Sequence, residues 1–376
     1  MSTGLRSARS ARGWSQERLI REIELYAREH VLDVASTASL RVYVSEWENG
    51  KRAISDRYAA ILRPLFGTTD AELRDTPAPA APTVADGYDE LLLRIDSATS
   101  VSPSMVKAFY DQTELFRTMD REKGASRLID QMAEHLRSLE EALNFAVLPS
   151  TRQPVALALA GASTLAAWQA LDSGAVERAW RNYELAKRAA RDADAPMYLA
   201  HAMAEQAYVL SEAGRSALGV SLVRDAQNTL GGVGSPRIRA WLHAAEAELC
   251  ARAEMPDDAR RALDAADATI PAGEEDRDPD MLSIFLNGAH LTRWRGNVLA
   301  MLGDDGAVGS LYQALDTADP TFVRAKAGVH CDLVQAHLAR AEYDDAQTHL
   351  RQARLLASRT GSVRQRRRID LLSSRL

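Results

Sequence analysis

Two cysteines in 376 residues, Cys250 and Cys331, are too few and too unpatterned for a disulfide framework or a thiolate metal site. They lie in helical stretches and read as small buried apolar groups, kept reduced in a cytoplasm. No apolar run approaches 18 residues and no signal-peptide pattern is present, so neither a membrane span nor export is expected. Catalytic signatures are missing too. There is no nucleophile elbow, no phosphate-cradling glycine loop and no His-Glu-x-x-His helix, so no enzyme, catalytic residue or cofactor is expected. His330 and His337 lie seven apart with Asp332 nearby, but no second helix offers ligands. They read as packed or solvated histidines, and no metal is expected. Lysine is scarce, with five among 46 basic residues. An excess of positive charge is also absent: the net charge is -6 and the sequence pI about 5.8. Residues 1–75 carry +1 and the remainder -7. A near-neutral first segment before an acidic body weakens unspecific attraction to nucleic acid and leaves specificity to direct contacts.

What is present begins between Ser36 and Lys51, which reads Ser-Thr-Ala-Ser-Leu-Arg-Val-Tyr-Val-Ser-Glu-Trp-Glu-Asn-Gly-Lys. Ser39 is expected to cap a helix whose buried stripe is Leu40, Val44 and Trp47, at the spacing of one helical face. Gly50 supplies a left-handed stop. The exposed residues near the start of that helix, Arg41, Val42 and Tyr43, stand where a helix-turn-helix protein presents side chains to base edges. Upstream, Leu5 to Arg12 forms a basic amphipathic helix. Ser15 caps a second helix carrying Gln16, Glu17, Leu19 and Ile23.

Trp14-Ser15-Gln16 before the second helix, and Trp47-Glu48-Asn49-Gly50 closing the third, resemble the Cro/phage-repressor-like helix-turn-helix family of the xenobiotic-response-element type. The resemblance covers about residues 5 to 75. Ser15 to Gly50 takes 36 residues, longer than the compact family pattern, and the extra Glu24 to Ala35 is expected to extend helix two and its turn. The resemblance implies base contacts from Arg41 (bidentate to guanine), Val42 (thymine methyl), Tyr43 and Glu46 (cytosine). Arg6, Ser15, Gln16, Lys51 and Arg52 would hold phosphates.

Thr76 to Thr83, Thr-Pro-Ala-Pro-Ala-Ala-Pro-Thr, is a short semi-rigid linker. Helical periodicity then covers Ala85 to Ala98, Ser104 to Arg121 and Ala125 to Leu148, with breaks at Ser102-Pro103 and Lys123-Gly124. These three helices are expected to form a packed bridge over 84–154. From about Ala160 the chain repeats. A small residue in a helix–helix turn is followed five later by another: Gly174 and Ala179, Gly214 and Gly219, Ala341 and Ala346. Glu254 and Ala259 share the phase; Gly303 and Val308 match less well. Successive turns stand 40, 40, 49 and 38 residues apart. Second helices carry a bulky apolar residue and then alanine three later: Tyr183 and Ala186, Val223 and Ala226, Leu263 and Ala266, Leu350 and Ala353. Tyr312 is followed instead by Leu315. Pro271 and Pro320 stop second helices, and Gly273 to Asp280 is expected to be an inserted loop.

This phasing resembles the tetratricopeptide repeat over residues 155–376, with periods longer than the usual 34 or so. The resemblance implies helix pairs stacked into a superhelix whose first helices line a concave groove. Its groove-facing positions fall at Trp168, His201, Tyr208, Trp241, Glu248, His290, Arg293, Asn297 and Gln335, a polar and aromatic set that suits a peptide or protein ligand. The carboxy-terminal Arg364, Arg366, Arg367 and Arg368 are expected to favour the end of the last helix through its dipole.

The expected class is therefore all-α, an N-terminal helix-turn-helix domain joined to a tetratricopeptide-like solenoid. A head of that kind on such a body resembles the peptide-sensing regulators of Gram-positive bacteria and a group of actinobacterial regulators. That resemblance implies a cytoplasmic homodimer bound to double-stranded DNA at a two-fold site, regulating transcription. The alternative is an adaptor whose groove captures a partner protein, with the head as a tether or a vestige.

Overall fold

In the computed structural model the chain is all-helical. The described residues are 4–30, 32–69, 84–99, 101–273, 275, 277, 278, 280, 281 and 283–376, and they form 18 α-helices and one isolated β-bridge. The Thr76 to Thr83 linker lies outside them. The chain divides into two units, Met1–Leu92 and Leu93–Leu376.

The first unit contains α1 (Gly4–Ala11), α2 (Gln16–Glu29), α3 (Thr37–Glu48) and α4 (Asp56–Phe66). Leu5, Leu19, Ile23, Leu40, Val44 and Trp47 meet Ile61 and Leu62 in one core, so the expected stripe of α3 is its buried face. Gly50 has the expected left-handed φ of 67°. Helix α3 starts earlier than expected: the cap is Ser36, whose Oγ accepts from the Ser39 N–H at 3.3 Å. A serine before Thr-Ala-Ser offers the same cap chemistry one turn sooner, and Ser39 falls inside the helix. The segment Glu24 to Ala35 extends α2 only to Glu29. The non-helical stretch beyond it is tied down by Ala35 N–H donating to Tyr58 Oη at 3.0 Å and by Thr37 Oγ1 donating to Glu24 at 2.6 Å.

Helix α5 (Val84–Thr99) spans the division between the units. In the second unit α6 (Pro103–Lys123) and α7 (Ile129–Phe145) share a core with α8 (Pro149–Asp172), so they belong to the body. Five antiparallel pairs succeed one another: α8 with α9 (Val176–Asp192), α10 (Pro196–Glu212) with α11 (Ser216–Leu230), and α12 (Pro236–Arg252) with α13 (Pro256–Thr269). The last two are α14 (Gly288–Leu302) with α15 (Ala307–Asp316), and α16 (Val323–Ala339) with α17 (Tyr343–Thr360). First helices pack on first helices, α8 on α10, α10 on α12, α12 on α14 and α14 on α16. Helix α18 (Val363–Ser373) comes last.

The turn residues of the pairs, Gly174, Gly214, Glu254, Gly303 and Ala341, all take positive φ, between 57° and 80°. Backbone handedness therefore sets the repeat; small size does not, since Glu254 serves. Five residues on, Ala179, Gly219, Ala259 and Ala346 are buried where helices cross; a Cβ at Gly219 would come within 3.0 Å of Ala207 O. The fourth pair departs by one residue. Ala307 takes the small position in place of Val308, while Leu311 and Ala314 fill the bulky-then-alanine places and Tyr312 faces outward.

Helix α8 is, on average over an 18-residue window, apolar enough to cross a membrane by length and composition, but that window is 78% buried inside the body. Alanines at Ala156, Ala160, Ala162, Ala166, Ala167 and Ala170 let α6, α7, α9 and α10 approach it closely. Within the Gly273–Asp280 insertion the described residues 273, 275, 277, 278 and 280 lie outside any helix. The Arg237 guanidinium donates to the carbonyls of Glu275, Arg277 and Leu286 at 2.8–2.9 Å, and buried Asp278 caps Asp280 and Met281.

Candidate functional site

The first unit presents a candidate nucleic-acid surface on α3. With Leu40, Val44 and Trp47 inward, the opposite face carries Arg41, with its side chain 63% exposed, and Val42 at 53%. Arg41 stands 3.6 Å from Glu17, an exposed pairing worth little against a phosphate or a guanine. Tyr43 departs from its expected exposure. It is half-buried against Trp47 and Tyr58, and the Arg52 guanidinium lies over its ring at 3.9 Å. Arg52 also pairs with Glu46 at 3.3 Å, so Tyr43, Glu46 and Arg52 form one cluster. Lys51 is exposed.

Glu48 is the residue that the sequence reading missed. Fully buried, it accepts from Arg9 at 2.5 and 3.1 Å and from Gln16 Nε2 at 2.8 Å, with Arg6 at 3.7 Å. Burial pushes its pKa up, but the hydrogen bonds from Arg9 and Gln16 and the charges of Arg9 and Arg6 outweigh this and hold it below the usual carboxylate range. The half-buried Gln16 amide is thus held by Glu48, and Ser15 Oγ is engaged as the cap of α2, accepting from Arg18 N–H at 3.1 Å. Arg6 remains partly exposed.

The second unit holds a cavity of about 620 Å³. The position six residues before each left-handed turn points into it: Trp168, Tyr208, Glu248, Asn297 and Gln335. Trp241 and Arg293 line it as well, so seven of the nine expected groove positions share one space. The exceptions are His201 and His290. His201 is buried edge-on against Trp241 at 4.9 Å and beside Glu205 at 3.4 Å. His290 sits in the first turn of α14, its ring 5.7 Å from Phe322.

The groove has a further wall that repeat phasing did not reveal. Helices α6 and α18 line the same cavity as the five first helices. Arg364 and Arg368 lie in the first two turns of α18, where a cation opposes the helix dipole, so the dipole explanation fails. They point inward to carboxylates: Arg364 to Glu212 at 2.8 Å, and Arg368 to Asp332, with Arg364 also over the rings of Trp168 and Tyr208. On α16, Arg324 bridges Asp120 of α6 at 2.7 Å and Asp172 of α8 at 3.6 Å. Ser362 Oγ donates to Asp172 at 2.6 Å across 190 residues of sequence. Burial works against the charge on Arg324, but Asp120 and Asp172 reverse that and raise its pKa.

His330 and His337 are packed, as expected, and their neighbour from a second helix is His349. Its ring stacks on both, at 5.2 and 5.4 Å, and burial together with the charges of His330 and His337 lowers its pKa to about 4. His349 Nδ1 lies 3.0 Å from His330 Nδ1, and its Nε2 lies 2.9 Å from the Tyr312 hydroxyl. His337, Glu342 and Asp345 could bring ligand atoms within 4.8 Å of one another, and Glu342 is already held by His337 and Arg340. Both cysteines are buried thiols with pKa raised to about 11, chiefly by desolvation.

No protein-family model matches the chain, and no curated protein matches it in sequence.

Proposed function

We propose that the chain is a sequence-specific DNA-binding transcriptional regulator, a Cro/phage-repressor-like helix-turn-helix head on a tetratricopeptide-like body. It acts in the cytoplasm as a homodimer on a two-fold site, and a ligand in the body's cavity biases the arrangement of its heads. The observation that carries this reading is α3: its buried stripe, Ser36 cap and Gly50 stop fix a helix whose outward face offers Arg41 and Val42. Half-sites one helical turn apart would set the two recognition helices about 34 Å apart. A ligand changes affinity only by preferring one head arrangement over another.

The test is selection of bound duplexes from a random pool with the natural protein and with Arg41→Ala. We expect a two-fold motif that the variant relaxes at one base per half-site, a loss of roughly 1–3 kcal/mol of discrimination. If neither protein enriches a motif at low salt, the DNA-reading proposal fails. The adaptor reading is less favoured, because α18 places its arginines across the cavity-facing wall that a partner protein would need.

A further inference from the structure

Six carboxylates line the cavity, and each already has a partner. Asp120 and Asp172 share Arg324, Glu212 has Arg364, and Asp332 has Arg368 and the Asn297 amide. Glu248 is held by Arg252 at 2.9 Å and by the Tyr208 hydroxyl at 3.1 Å, and Glu205 by Tyr183 at 3.2 Å. The arginines are not matched in the same way. Among the described residues Arg293 has no ion pair and no hydrogen bond; its guanidinium carbon lies 5.9 Å from the centroid of the Trp294 ring. Arg367 also lacks a partner, but it is exposed at the rim, where water solvates it.

A guanidinium that lines a cavity without an ion pair is poorly compensated: Arg293 is half-buried, and desolvation lowers its pKa against the distant pull of Glu248 and Asp332. Two buried acceptor oxygens in the same wall, Asn297 Oδ1 and Gln365 Oε1, also lack a donor. Asn297 is more than nine-tenths buried. Around them stand Trp168, Trp241 and Trp294, faces suited to a flat ring. A cavity of about 620 Å³ falls within the range of small-molecule sites.

We propose that this cavity binds a compact aromatic carboxylate, its carboxyl group on Arg293 and its ring among the tryptophans. The proposal rests on the cavity being the sensing site of a regulator. One unmatched positive charge calls for one negative charge; a dianionic phosphate would leave a surplus charge facing six carboxylates. The carboxylate forms a two-point fork with the guanidinium.

The test uses the full chain without DNA, so its outcome is independent of the duplex selection. Calorimetric titration with indole-3-acetate, indole-3-acetamide and tryptamine holds the ring constant and varies the charge. We expect saturable binding of the acetate, roughly ten- to a hundredfold weaker binding of the amide, and none of tryptamine. Arg293→Met should bring acetate binding down to the level of the amide. In the same variant the ligand-free protein should melt at the same temperature or higher, because a half-buried charge without an ion pair is gone. Equal affinity for acetate and amide, no saturable binding of the acetate, or unchanged acetate binding by Arg293→Met would overturn the assignment. A lowered ligand-free melting temperature or unfolding of Arg293→Met would overturn it as well, by showing that Arg293 is a structural partner.

Discussion

Turning the Glu48 carboxylate into an amide leaves the Arg9 guanidinium without its counter-charge, and leaves Arg9 and Gln16 with one acceptor oxygen in place of two, where α1, α2 and the end of α3 meet. Glu48→Gln is expected to destabilise the head by about 3 kcal/mol, the usual cost of breaking a buried pair from one side. Amide hydrogen exchange of α1, α2 and α3 in the full chain reads this directly. The sign of the shift sets the pH dependence. Because the folded pKa lies below the unfolded value, the stabilisation is fully present above about pH 4.3 and is lost as pH falls through the folded pKa. Glu48→Gln should flatten that acid limb. Lys51 stands outside this network, and Lys51→Ala should weaken DNA binding uniformly across sequences while reducing the salt slope by about one. At this scale the buried positions Leu40, Val44 and Trp47 were legible from spacing alone. Tyr43 was not: whether an aromatic at the edge of a stripe turns in or out depends on Tyr58 and Arg52, which come from beyond α3.

Among the elements, the repeat turns were legible because each needs a left-handed residue at a fixed distance from a crossing point. The cavity positions came from the same phase. Helix α18 was not legible. Charge pairs such as Arg364 with Glu212 join residues 152 apart and leave no periodic trace in the sequence. The seam between α6 and α17 has a similar character. Gly124, with φ of 80°, lies against the Thr360 backbone, and a Cβ there would collide with the Thr360 carbonyl. Gly124→Ala is therefore expected to cost about 2–4 kcal/mol by strain and separation of the seam. Gly214→Ala has a similar φ but open space around it, and should cost only about 1–2 kcal/mol. Calorimetric melting of the two variants side by side tests the contrast; equal losses would mean that the seam yields freely.

For the body as a whole, α6, α8, α16 and α18 are joined through Arg324, Asp120, Asp172 and Ser362. Stacked helical pairs ordinarily lose structure one at a time from the ends. Here the first and last parts of the body hold each other, so a single cooperative transition is expected. Arg324→Met leaves two carboxylates facing each other without their cation and should lower the stability of the body by about 3–5 kcal/mol. Amide exchange should show the loss first in α6 and α18; protection retained there would argue against the seam as the closing contact.

The join between Asp172 and Ser362 also sets an order of events on the ribosome. The core and the ion pairs of α1 to α4 lie within the first 66 residues, so this unit can fold while the rest of the chain is still being made. The cavity has no such option, because its wall waits on residues synthesised some 190 positions after Asp172. A nascent or truncated chain stopping short of Val363 would thus possess a folded head and an unfinished cavity. On the proposed reading, completion of α18 would be the step that brings the head under the control of a ligand.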